Sequence, residues 1–172
     1  MSDSLNQNFN HLKVHTQYSI CEGAAKIDDL QEYCKSNKIK SLGISDTSNL
    51  CGALEFAEKI SKSGTQPIIG TQINFKLNDT TGLLPLFALN ETGYKNIIEL
   101  SSNSYLENDE LSDPHVNFDE LLKNSDGVSV FSGTVFGLFG KFFDKGKFTE
   151  INEIYSKIKN VFGDRFYLEI QR

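Results

Sequence analysis

The sequence of 172 residues contains no tryptophan, one methionine, three prolines and three cysteines. Cys21, Cys34 and Cys51 are an odd set with no Cys-x-x-Cys pair, which argues against a disulfide framework and against a zinc knuckle. Reduced, mostly structural thiols are expected. No window approaches the ~20 consecutive apolar residues needed to cross a bilayer. The opening MSDSLNQNFN has neither the basic nor the apolar region of a secretion signal. These absences predict a cytoplasmic chain with no membrane association. Positive charge is also scarce: 17 Lys and Arg stand against 23 Asp and Glu, a formal net charge of −6. Such a surface repels phosphate unless its basic residues gather on one face. Lys35, Lys38 and Lys40 form a small basic cluster, but a solvated helix end accounts for them equally well. Nucleic-acid binding by this stretch alone is therefore disfavoured.

What is present suits a soluble globular domain. Hydrophobic residues make up 38% and charged residues 23%, with 13 Phe, and the length suffices for one domain with its own core. Short apolar runs alternate with longer helical stretches, the pattern of an α/β fold. The predicted strands are His11–Thr16, Ser41–Asp46, Pro67–Lys76, Leu83–Leu89, Gly127–Ser132 and Phe166–Ile170. Apolar residues at helical spacing predict helices over Ile27–Ser36, Leu50–Ser61, Thr92–Leu106, Phe118–Asn124 and Phe148–Val161. Turn-forming residues in Leu77–Gly82 predict a hairpin, and the acidic run Glu107–His115 reads as an exposed loop. No internal repeat or low-complexity tract is found.

Several motifs occur in order. His-Leu-Lys-Val-His-Thr-Gln-Tyr-Ser at 11–19, with Glu22-Gly23-Ala24-Ala25, resembles the HLHxHTxYS…LDGA opening of PHP (polymerase and histidinol phosphatase) domains in bacterial replicative DNA polymerases, the alpha subunits of DNA polymerase III. Ser45-Asp46-Thr47-Ser48-Asn49-Leu50 resembles the TDHGNL motif, and Pro67-Ile68-Ile69-Gly70-Thr71-Gln72 resembles PIIGxE. Gly93-Tyr94-Lys95-Asn96, Phe131-Ser132-Gly133 and Phe166-Tyr167-Leu168-Glu169-Ile170-Gln171-Arg172 continue the series and point to the polymerase branch. The resemblance covers residues 1–172 as a single partial domain. It implies a distorted β/α barrel of the PHP type, with its C-terminal strands expected beyond this stretch. In active members the strand ends carry a cluster of divalent metals.

At the positions where the resemblance implies metal ligands, this sequence departs. Lys13 stands where the first His of the HxH pair would be, and an ammonium group has no lone pair to offer a cation. Thr47 replaces a His, Gln72 replaces a Glu, Leu83 replaces a His, and Thr134 follows Ser132-Gly133 where Cys is frequent. His15, Asp46 and Glu22 remain. A cluster of hard cations needs several oxygen or nitrogen ligands and compensating negative charge, so no metal and no catalytic residue is expected here. His11 and His15 are then expected to be hydrogen-bonded residues of the barrel, and His115 to be exposed. Lys13, in the place of the missing cation, is expected to neutralise Asp46 or Glu22; the other reading of Asp46 is a cap before the helix at Leu50.

The resemblance further implies a non-catalytic module of a replicative DNA polymerase. The rest of that polymerase chain would perform nucleotidyl transfer with Mg2+ and would engage DNA. A separate proofreading exonuclease subunit is the implied partner, with Glu107–His115 and Phe136–Phe143 as candidate contact surfaces. Phe139, Phe142 and Phe143 are alternatively core residues. The competing account is an active metal-dependent phosphoesterase or 3′–5′ exonuclease.

Overall fold

A computed structural model describes residues 9–108 and 112–170. Residues 109–111 of the acidic run, and Gln171 and Arg172 of the last motif, lie outside the described residues. The chain divides into two units, Met1–Thr71 and Gln72–Arg172. The first contains α1 (Ile27–Asn37), β1 (Ser41–Thr47), α2 (Ala53–Lys62) and the start of β2 (Gln66–Leu77). The second holds the rest of β2, then β3 (Thr80–Ala88), α3 (Glu91–Leu106), β4 (Val116–Asn117), α4 (Phe118–Lys123), β5 (Val128–Phe131), α5 (Leu138–Asp144), α6 (Phe148–Phe162) and β6 (Phe166–Tyr167). The mixed α/β class is the one that the alternating runs predict.

In the first unit, α1 carries Asp28 and Asp29 in its first turn and Lys35 in its last, matching the helix dipole at both ends. It ends at Lys38, whose left-handed backbone (φ 51°) lets its N–H reach the Cys34 carbonyl. Ile27 and Cys34 of α1, Leu42 and Ile44 of β1, and Phe56 and Ile60 of α2 form one buried cluster. The five central residues of β1 are all buried, as expected of a strand covered on both faces.

The predicted strand His11–Thr16 is not a regular strand. Gly43 N–H donates to the His11 carbonyl at 2.7 Å and Ser45 N–H to the Val14 carbonyl at 2.8 Å. Two residues of β1 thus span three of the segment, and that extra residue interrupts the ladder as a bulge does. Regular pairing returns only as a single parallel bridge between Thr16 and Ala25. The close approach explains Gly43, because a Cβ there would stand 2.5 Å from the Leu12 carbonyl oxygen.

In the second unit β3 lies between β2 and β5, and β6 follows β5. β3 and β5 are antiparallel, with Leu86 opposite Val130, while β5 and β6 are parallel. The two-residue β4, which the sequence did not predict, pairs parallel with β2 through Phe75 and Val116. The predicted hairpin forms, with Asn78 taking the positive φ (54°) of its turn. Asn90 caps α3 by accepting from Gly93 N–H at 2.9 Å. The Gly127 carbonyl accepts from Leu89 N–H at 2.8 Å, and a Cβ on Gly93 would overlap that carbonyl oxygen at 1.8 Å. Asn96 closes the joint by donating to the Asp126 carbonyl at 2.8 Å. The Gly93–Asn96 motif is thereby explained as packing.

Two expectations need correction, and one pair of alternatives is resolved. The Phe-rich stretch contains a helix, α5, in which Phe142 is buried in the core whereas Phe143, its ring edge-on to Phe148, is 62% exposed. Cys34 alone of the three thiols is buried; Cys21 and Cys51 are exposed on loops. His115 is only half-buried, since Asn108 Nδ2 ties the acidic loop down by donating to the Ser104 and His115 carbonyls at 2.8 and 2.6 Å.

Gly43→Ala is expected to destabilise the chain by about 1–3 kcal/mol, the usual cost of forcing an added group into packed main chain. Gly93→Ala, which meets backbone more closely, should cost at least as much. Urea denaturation of both variants checks the ranking.

Candidate functional site

Loops following extended segments are where an α/β fold gathers chemistry, and in the first unit the sequence-marked residues meet there. Asp46, near the end of β1, is 1% exposed. One of its carboxylate oxygens accepts from Thr16 N–H at 2.6 Å and from the Ser19 hydroxyl at 2.6 Å. The other accepts from the Thr16 hydroxyl at 2.7 Å. An ionised carboxylate accepts only, so these donors fix the hydroxyl rotors. Thr16 Oγ1 in turn accepts from Tyr18 N–H at 3.2 Å, and Ser19 Oγ from Thr47 N–H at 3.1 Å. The Asp46 carbonyl accepts from the Thr71 hydroxyl at 2.6 Å. Asp46 therefore holds the loop at residues 16–19, and its side-chain bonds go there and not to the first turn of α2.

Glu22, exposed on the same loop, accepts a short hydrogen bond from the Thr47 hydroxyl. His15 Nδ1 lies 3.8 Å from the Glu22 carboxylate, beyond hydrogen-bonding range. That nitrogen is buried without a hydrogen-bond partner, so Nδ1 lacks the bond expected of His15 and stands only within ion-pair distance of Glu22. His11 is exposed, its ring edge-on to Phe9 at 4.8 Å. Lys13 is half-buried on the extended segment. Asn49 joins the loops from above, donating to the Tyr18 and Thr47 carbonyls at 3.1 and 3.0 Å and accepting from Cys51 N–H at 3.0 Å.

A polar chain anchors this loop to both helices. The Tyr18 hydroxyl donates to Glu55 at 2.7 Å, Lys59 donates to Glu55 at 2.8 Å, and Lys59 pairs with Asp28 at 2.5 Å. Lys59 holds the Glu55 carboxyl below the usual carboxylate range, with help from Tyr18. Asp28 first, then Glu55, pushes the Lys59 ammonium above its ordinary value. The Glu55 carboxylate raises the Tyr18 hydroxyl above its own.

The other sequence-marked positions belong to the second unit. Gln72 is buried at its start, Leu83 on β3 bridges to Gly137, and Thr134 Oγ1 accepts from Phe136 N–H at 3.2 Å. A charged contact there was not foreseen: Asp79 in the hairpin turn pairs with Lys147 at 2.5 Å and lies 4.0 Å from Lys145. Among the described residues, no group of three or more His, Cys, Asp and Glu side chains is arranged to hold a metal ion. The residues present do not fit one, since the Asp46 oxygens already serve hydrogen-bond donors. Sequence reasoning missed Thr16 and Ser19, which lie 30 and 27 residues from Asp46 and carry no local signal of their role.

The description of the PHP domain family matches residues 11–172. The DNA polymerase III subunit alpha of Caulobacter vibrioides is 37% identical over 185 residues, covering 100% of this chain and 16% of that protein. That of Borreliella burgdorferi is 36% identical over 180 residues, covering 98% of the chain and 16% of the relative. That of Rickettsia felis is 35% identical over 165 residues, covering 95% and 14%. The chain thus spans about a sixth of the length of these relatives. Among solved structures, one described as a metal-dependent phosphoesterase from Bifidobacterium adolescentis aligns with a TM-score of 0.45 at 15% identity, covering 86% of this chain and 54% of that one.

Thr16→Val and Ser19→Ala each leave a buried carboxylate short of a donor, and each is expected to cost roughly 1.5–3 kcal/mol, the scale for hydrogen bonds to charged groups. Chemical denaturation checks this. Asp79 is held below its ordinary value chiefly by Lys147, so its contribution is full above the unfolded carboxylate value and lost as pH falls through the depressed one. Lys147→Met should accordingly destabilise near neutral pH, with the difference from the parent chain shrinking in acid; thermal melts across pH 2–7 read it.

Proposed function

Because the chain belongs to the PHP domain family, we propose that it is a non-catalytic PHP module of a bacterial replicative DNA polymerase, the alpha subunit of DNA polymerase III. The observation that carries this reading is likeness over nearly the whole chain to such subunits, together with an Asp46 whose carboxylate is committed to hydrogen-bond donors. In this reading nucleotidyl transfer, its Mg2+ and the contacts to DNA belong to the rest of the polymerase chain. The net charge of −6 agrees with a module that does not grip DNA by itself.

The module serves as a rigid support and as a docking site for the proofreading exonuclease subunit. What supports docking is apolar exposure in the second unit: Phe136, Phe143 and Phe148 are 73%, 62% and 56% exposed. Beside Phe143, a cleft of about 310 Å3 is lined by Val135, Phe139 and Ile151. Lone exposed apolar residues are ordinary, whereas clustered aromatics are the usual material of interface anchors.

Two measurements test the proposal. The purified chain, given single-stranded DNA with Mn2+ or Zn2+, is expected to release no nucleotides above the buffer rate. Metal-dependent cleavage abolished by His15→Ala would replace this reading with that of an active phosphoesterase. Calorimetric titration with the exonuclease subunit is expected to show saturable binding weakened at least tenfold by Phe136→Ser with Phe143→Ser; no heat of binding would remove the docking role.

A further inference from the structure

We infer that hydroxyl groups fasten the two loops of the first unit, residues 16–25 and 47–52, in the role that a cation would otherwise fill, so that their order does not depend on any divalent metal. The inference concerns the chain by itself and stands whether or not the polymerase reading holds.

Two carboxylates face this place, and each receives at least one hydroxyl hydrogen. Asp46 receives Thr16 N–H, the Thr16 hydroxyl and the Ser19 hydroxyl within 2.6–2.7 Å. Glu22 receives the Thr47 hydroxyl. The directions of these bonds follow from the acids. A carboxylate cannot donate, so each hydroxyl turns its hydrogen toward it and presents a positive end where a metal would need a lone pair. The hydroxyl oxygens are used as well, since Thr16 Oγ1 accepts from Tyr18 N–H and Ser19 Oγ from Thr47 N–H. A hard divalent cation requires several unprotonated oxygen or nitrogen ligands at once. To recruit Asp46 it would have to displace three donors from a residue that is 1% exposed.

The same bonds also do mechanical work between the loops. Thr47 is held twice by the loop before α1, through its N–H on Ser19 and its hydroxyl on Glu22. Asn49 adds a third tie, to the Tyr18 carbonyl. Fastening of this kind is complete when the chain folds and has no external component to lose.

Amide hydrogen exchange of the 172-residue chain tests the idea. Exchange in residues 16–25 and 47–52 is expected to be the same in EDTA as in Zn2+ or Mn2+, and calorimetric titration with either metal alone should show no stoichiometric site. Thr47→Val and Glu22→Gln should each speed exchange in both loops by roughly two- to tenfold, the scale of one net hydrogen bond. Saturable binding of Zn2+ or Mn2+ that slows exchange there, and is lost in Glu22→Gln, would overturn the inference. So would unchanged exchange in both variants. Should either variant fail to fold, the comparison in EDTA and metal on the parent chain still decides.

Discussion

A carboxylate taken out of water must be given donors by the protein, and in the first unit Asp46 sets that requirement. Its position near the end of β1 brings the charge into a region from which solvent is almost absent. The cost of leaving such a charge unpaired is severe, so the chain before α1 is bound to bend back and deliver the Thr16 amide and two hydroxyls. The rest of the loop follows from that bend. Tyr18 is brought over Glu55, and through Lys59 and Asp28 the two helices are drawn into the same network. The apolar cluster of Ile27, Phe56 and their neighbours supplies most of the packing; the buried charge decides which way the loop must run.

The regular elements were legible where local signals agreed. Helices α1, α2 and α6 combine an apolar stripe with charges matched to both ends, α3 adds the Asn90 cap to its stripe, and strands β1, β2 and β3 are rich in Leu, Ile and Phe. The sequence failed where tertiary contact overrode local pattern. His11–Thr16 alternates like a strand, yet β1 holds it at two points with unequal spacing. No element is predicted over residues 138–144, where the short α5 buries only Leu138 and Phe142, four apart, and so leaves little helical periodicity. The two-residue β4 is too short to leave any periodicity.

The candidate site was half legible. Asp46, Glu22, His15 and Thr47 could be singled out because the motifs that contain them are recognisable, and they do come together. What could not be read was the direction of dependence. A sequence shows that a His has given way to Thr47, but not that the new hydroxyl would be turned onto Glu22. Thr16 and Ser19 are small polar residues of a kind found in any loop, and only coordinates reveal that both point at one acid.

The joint between the start of α3 and the turn before β5 bears on how much the intervening sequence is free to change. Gly93 and Gly127 touch main chain to main chain, so the fit is specified wholly at its two ends. Nothing in it measures how many residues lie between. One misplaced methyl group at either glycine would open the seam, at Gly93 against the Gly127 carbonyl and at Gly127 against the Asn90 cap. Variation in this half of the molecule is thus forbidden at two points by shape alone, whatever the chemistry of the side chain brought in.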